Sequence, residues 1–249
     1  MRFAVLIYGV VCYVLFLGTF LYAIGFVGNV VVPKSIDTGT PGELITALAI
    51  NTLLLGLFAV QHSVMARPAF KRWWTRIIPP AAERSTYVLL TSLILLLLFW
   101  KWQPLPEPVW NIATPAASTV LWGLFALGWL IVLVSTFLIN HFDLFGLRQV
   151  WIFFSGQTYR PAEFKTPALH RFVRHPIMLG FIVAFWATPN MTVGHLFFAA
   201  VTTAYILIAI QLEERDLVTY YGAAYRQYQQ QVRMLVPIPR KSQGPSKDV

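Results

Sequence analysis

The sequence predicts an all-α integral membrane fold: five full transmembrane helices plus a short hairpin arm. Three observations predict it. The chain of 249 residues is 57% hydrophobic and only 12% charged, whereas a soluble domain carries about 25% charged residues. Its mean hydropathy is +0.63. Five apolar stretches are long enough to cross a hydrocarbon core of ~30 Å, which takes about 20 helical residues, and the basic residues cluster in the segments between them.

The first span covers 3–32. Its apolar run exceeds the roughly 7–15 residues of a secretory signal core and no clear cleavage site follows, so it reads as a retained span. The single cysteine, Cys12, lies inside it, which leaves no disulfide framework and no thiolate metal site. The second span, 44–65, runs into LFAVQHSVMARPAFKRWW. It carries Gln61 and His62 within the apolar run, and an ionisable group at that depth is costly and tends to be functional. Arg67 to Trp74 reads as an interfacial amphipathic turn. The third span, 85–100, reaches full length only if Trp100 and Trp102 form its interfacial belt. The fourth, 117–139, ends in STFLINHFDLFGLRQVW, where Asn140, His141, Asp143 and Arg148 arrive together among Phe142, Leu144, Phe145 and Leu147, as in a half-buried floor. A thirteen-residue apolar piece, 176–188, would rise only ~20 Å as a helix. It stops at the turn signal Thr188-Pro189-Asn190. With the last span, 191–212, it forms a helical hairpin with one short arm.

The loops set the orientation. Seventeen of the basic residues fall on one side of these spans, and only Lys34 and Lys101 on the other. Positive charge stays in the cytoplasm, so both termini and both long loops are expected there. The net charge of +9 is thereby a matter of membrane edges, and no nucleic-acid partner is inferred. The chain reads as one domain over 1–240, with most unusual polar residues in 140–240 and a flexible polar tail at 241–249.

Two polar groups stand out in that last third. In LHRFVRHPIMLG, 169–180, Pro176 disfavours helix at His175 and suits the first turn of the next helix. The new helix would present free N–H groups beside Arg174 and His175, a good place for a carboxylate or phosphate. Arg171 reads as a membrane anchor. Further on, Glu213 and Glu214 end the last span; such carboxylates cost desolvation unless cations or hydroxyls meet them. They point about 100° apart on a helix. Tyr221, Tyr225 and Tyr228 follow Glu214 on one helical face, with Gly222 as a possible break. The cations and the carboxylates lie at the two ends of one hairpin, so they are expected to be neighbours at one membrane–water boundary.

The pattern Arg174-His175-Pro176-x-x-x-Gly180, then Glu213-Glu214-x-x-Leu217-x-x-x-Tyr221-Gly222-x-x-Tyr225-x-x-Tyr228, resembles the isoprenylcysteine carboxyl methyltransferase and phospholipid methyltransferase superfamily over 140–240. Met178 stands where that superfamily often has tyrosine, and Tyr221 where phenylalanine is usual. VQHSVMARPAFKRWW (60–74), NHFDLFGLRQVW (140–151) and FWATPNMTVGHL (185–196) narrow the resemblance to bacterial methanethiol S-methyltransferases and their NnrU-like neighbours. The resemblance implies a bacterial inner-membrane enzyme with a cytoplasmic pocket for S-adenosylmethionine, built by the C-terminal third, and no metal. His170, Arg174 and His175 would hold the methionine carboxylate or the adenine side, Glu213 or Glu214 the ribose hydroxyls, and Tyr225 and Tyr228 would close the pocket. His62, Asn140 and His141 would serve the substrate end, with His62 or His141 as base for a small apolar thiol reached through lipid. A larger lipidic acceptor and a non-catalytic NnrU-like membrane protein are the alternatives.

Overall fold

The structure is a computed structural model and describes residues 1–160, 166 and 168–237; the expected tail at 241–249 lies outside the described residues. Five helices are long and apolar enough to cross a membrane: α1 (Arg2–Gly28), α2 (Leu44–Ala66), α4 (Pro80–Lys101), α5 (Pro115–Ile139) and α9 (Val193–Tyr221). Between α2 and α4 lies the short α3 (Pro68–Trp74), and α5 runs into α6 (His141–Leu144) and α7 (Leu147–Phe154). A 3-10 turn, Ala168–Arg171, precedes the short arm α8 (Pro176–Trp186), and α10 (Ala223–Gln231) follows α9. The expected spans are all present. The third is longer than its apolar run because Pro80 starts the helix five residues ahead of the expected 85.

Two features differ from the expectation. Trp102 is no interfacial belt residue: it is fully buried and its Nε1 donates to Ile36 O at 3.0 Å. Trp100 is exposed, with Lys101 Nζ 3.7 Å from its ring centre. The fold is also not purely helical. β1 (Pro108–Asn111) pairs antiparallel with β2 (Asn190–Thr192), which closes the loops after α4 and α8 over one pole. His195, just after that ribbon, is buried there and faces Phe185 O at 2.9 Å.

The main core lies towards the ribbon pole, where Phe26, Ile36, Leu98, Phe99, Trp102, Trp129, Ala184 and Phe198 cluster. The short arm α8 is pressed against α5 through two facing glycines. A Cβ on Gly180 would stand 2.7 Å from Gly128 O, and one on Gly128 would stand 2.7 Å from Gly180 O. Small residues let helix backbones approach where lipid supplies no hydrophobic drive between them. The opposite, basic pole carries the N-terminus of α1, α3, α6, α7, the start of α8 and all of α10. Most of the ionisable side chains lie there, among exposed aromatics such as Trp73 and Trp151, and there the hairpin ends meet.

Candidate functional site

Glu214 is the hub of the basic pole. Its Oε1 accepts from Arg174 Nε at 2.6 Å and meets His175 Nε2 at 3.0 Å. Its Oε2 accepts from Arg174 Nη2 at 3.1 Å and from Gln229 Nε2 at 2.8 Å. Tyr225 Oη donates to Oε1 at 3.4 Å. An ionised carboxylate only accepts, so the His175 Nε2 carries the proton in this contact. The remaining Arg174 nitrogen donates to Gln229 O at 3.2 Å and Val232 O at 2.5 Å. Arg174 and Glu214 are both buried in this pair, with side-chain exposures of 7% and 10%.

The backbone explains the arrangement. Pro176 opens α8, so 173–175 is extended and pairs with the strand leaving α10: Arg174 N donates to Arg233 O at 2.9 Å and His175 N to Met234 O at 3.2 Å. Gly222, at φ 59 and ψ −127, separates α9 from α10 in a conformation that side chains with a Cβ avoid. The break interrupts the continuous tyrosine face expected from spacing. It folds α10 back, so that Tyr225 reaches Glu214 and Tyr228 Oη donates to His170 O at 2.6 Å. Burial raises the pKa of both phenols, Tyr228 to about 12, so both are neutral donors. Glu213 has a different surrounding: its side chain is 46% exposed and its one ion-pair neighbour among the described residues is His175 Nδ1, at 3.6 Å.

His62 and His141 are held in unlike ways. The Tyr87 hydroxyl lies 2.9 Å from each ring nitrogen of His62, and the ring packs on Phe58 at 5.1 Å between centres. Nearby, Ser63 Oγ and Tyr205 Oη are 3.1 Å apart. Arg67 ties this end of α2 to α9 through Leu212 O at 3.2 Å and Asp216 Oδ2 at 2.9 Å. The Arg84 guanidinium stands 5.0 Å from the Tyr87 ring centre. The His62 cluster and the Glu214 hub are therefore parts of one polar end. His141 is buried, with Nδ1 2.8 Å from Thr136 Oγ1 and Nε2 2.8 Å from Tyr13 Oη. The Thr136 hydroxyl already donates to Leu133 O at 2.7 Å, so it accepts from Nδ1–H, and Nε2 accepts from the Tyr13 phenol. Both nitrogens are thus occupied. Asn140 caps α6 by accepting from Asp143 N at 3.3 Å and lines a cavity of about 530 Å³ with Lys71, Glu83, Arg84, Asp143 and Tyr159.

Sequence reasoning missed Tyr87, Tyr205 and Ser63, and it treated Lys71 and Arg84 only as charges that set orientation. A tyrosine inside an otherwise apolar span was the available signal for the first two. Among the described residues no group of His, Cys, Asp and Glu is arranged to hold a metal ion.

Comparison with known proteins follows the same residues. The family model described as NnrU protein matches residues 51–231. The chain is 59% identical to methanethiol S-methyltransferase 2 of Bradyrhizobium diazoefficiens over 95% of its length and 91% of the relative. It is 57% identical to methanethiol S-methyltransferase of Crocosphaera subtropica, over 97% of this chain and 95% of the relative. It is 56% identical to methanethiol S-methyltransferase of Mycobacterium tuberculosis, over 96% and 98%. No solved structure matches it. The family match takes in both the His62 cluster and the Glu214 hub, and the chain belongs to the NnrU protein family.

Proposed function

We propose that this protein is a membrane thiol S-methyltransferase that methylates methanethiol to dimethyl sulfide with S-adenosylmethionine as donor. One observation carries the reading: identity of 56% to 59% with relatives of that name, covering 95% or more of this chain. The polar pole has groups that suit the donor. The half-exposed Glu213 is free to accept from ribose hydroxyls, whereas Glu214 is already committed. His170, His175, Tyr225 and Tyr228 form the adjoining wall on the adenosine side, and the Arg174–Glu214 pair positions that wall. A cavity of about 530 Å³ on the same pole is of small-molecule size.

When bound, S-adenosylmethionine supplies an electrophilic methyl group on a sulfonium. The chain's own task is to place the thiol in line, strip its proton and exclude water. A cysteine thiol has a pKa of about 8.5, and simple alkyl thiols are weaker acids. Imidazole is the side chain whose proton affinity suits that transfer near neutral pH. His62 is the candidate base of the two histidines: one hydroxyl, that of Tyr87, lies against its ring and can engage only one nitrogen at a time, whereas both His141 nitrogens are held, by Thr136 and Tyr13. Tyr87, in contact with His62, orients the ring. Asn140 lines the cavity and is the third residue this reading assigns to the substrate end. A small apolar thiol partitions into lipid and reaches such a site from the membrane. The basic pole faces the cytoplasm of a bacterial inner membrane in this reading, as its positive charge requires.

Purified protein in lipid nanodiscs, given S-adenosylmethionine and methanethiol, is expected to release dimethyl sulfide into the head space. Folded protein that binds S-adenosylhomocysteine yet releases no dimethyl sulfide overturns the reading. His62→Ala is expected to lower turnover about a hundredfold or more, in the range general bases contribute, with S-adenosylhomocysteine affinity unchanged.

A further inference from the structure

The cavity beside α4 has a charge pattern that the hub does not explain. Lys71, Glu83, Arg84, Asn140, Asp143 and Tyr159 are its charged and polar lining residues beside two glutamines. Asp143 is already engaged: Tyr159 Oη donates to it at 3.0 Å and Arg148 Nη1 lies 3.3 Å away. Among the described residues Arg84 donates through Nε to Leu144 O at 2.6 Å and lies over the Tyr87 ring. Among the described residues neither Lys71 nor Arg84 has a carboxylate partner. Burial lowers the pKa of Lys71 and the like charge of Arg84 lowers it further, against a smaller opposite effect of Glu83. Two cations withdrawn from water around one cavity repel each other, and an anion between them offsets that cost.

Glu83 narrows the class of anion. A carboxylate in the same lining repels a polyanion such as a phosphate chain, but it suits a zwitterion. Depth narrows it further. Tyr87 lies beneath the Arg84 guanidinium and touches His62. An α-amino acid with sulfur at its γ-carbon spans about 5 Å from carboxylate to sulfur, taken from bond lengths. That span matches the 5.0 Å between the Arg84 guanidinium and the Tyr87 ring, whose hydroxyl meets His62. We infer that this cavity binds the amino-acid end of the methyl donor, with Lys71 and Arg84 taking its carboxylate and Glu83 its ammonium group. The inference rests on the methyltransferase reading above and assigns the carboxylate away from Arg174, whose guanidinium is committed to Glu214 and two carbonyls.

The test compares two ligands by calorimetry on the full chain in nanodiscs of zwitterionic lipid. S-adenosylhomocysteine keeps the amino-acid end, and 5′-methylthioadenosine lacks it. Wild type is expected to prefer S-adenosylhomocysteine by roughly tenfold or more, the scale of a charge-assisted contact. Lys71→Met and Arg84→Gln are each expected to remove most of that preference while leaving 5′-methylthioadenosine within about twofold of its wild-type affinity. Lys71→Met is the cleaner variant, because Arg84 also holds Leu144 O. If wild type binds neither ligand, the methyltransferase reading falls and this inference with it. If wild type binds S-adenosylhomocysteine and Lys71→Met keeps the full preference, only this inference falls. It also falls if both ligands weaken equally, or if the variants change only the retention of anionic lipid, which would make the pair a headgroup anchor.

Discussion

Glu213 and Glu214 are neighbours in opposite surroundings, and the difference comes from one helical step. Glu214 turns inward to Arg174, His175, Tyr225 and Gln229, while Glu213 stays half exposed. Breaking a buried pair from one side costs about 3–5 kcal/mol, because the other charge is stranded. Arg174→Met is therefore expected to lower the melting temperature sharply and to release the arm after α10. Arg174→Met combined with Glu214→Gln should recover most of that stability without recovering S-adenosylhomocysteine binding. A single variant as stable as wild type would show that the pair does not hold the arm. His141 gives a pH-dependent counterpart. Burial depresses its pKa below the ordinary value of about 6.5, so the unfolded chain takes up the proton first as pH falls. The contribution of neutral His141 to stability is full above that ordinary value and declines as pH drops below it. Thermal unfolding followed between about pH 7.5 and 5 should show a shallower loss for His141→Gln than for wild type. Identical slopes would mean that His141 titrates alike in both states.

The elements show why the hairpin motif needs a glycine at 180. Gly180 is one turn into α8 and meets Gly128 of α5 backbone to backbone, so neither neighbour is a flexible side chain that could step aside. Gly180→Ala is expected to push α8 away from α5, at an overpacking cost of about 1–3 kcal/mol. That shift would move Arg174 and His175, which lie directly before the helix. Lower thermal stability together with weaker S-adenosylhomocysteine binding is the expected result, and an unchanged melting curve would contradict the close contact. The five spans, the restart at Pro176 and the meeting of the two hairpin ends were all legible in the sequence, because apolar length and proline act locally. The long-range partners were not. Nothing local in α4 says that Tyr87 meets His62, and nothing in Trp102 distinguishes a belt residue from a core residue that donates to Ile36 O. The ribbon β1–β2 was equally hidden, since its strands lie 79 or more positions apart in register and neither has a strand's alternation.

At the scale of the whole molecule, the two poles divide the work. The ribbon pole holds the main core, with buried Trp102, Phe26 and Ile36 and few ionisable groups, and it anchors the helices. The basic pole carries the hub, the His62 cluster and the Lys71–Arg84 cavity, so on the proposed function its side of the membrane decides which aqueous pool supplies the donor. Most of the positive charge surrounds that pole, including Arg67, Arg72, Arg76, Arg84 and Arg226, whereas Lys34 and Lys101 flank the other. On the proposed reading this asymmetry puts the basic pole in the cytoplasm, which is where a charged donor that cannot cross lipid would be met. The lone cysteine offers a direct check. Cys12 is buried, so a membrane-impermeant thiol reagent should leave wild type unlabelled. Glu43 and Arg76 are exposed on opposite poles, and each can be replaced by cysteine away from the polar clusters. On intact spheroplasts Glu43→Cys should label at once, and Arg76→Cys only after permeabilisation. The reverse pattern would place the basic pole outside and remove the cytoplasmic supply of donor on which the proposed reaction depends.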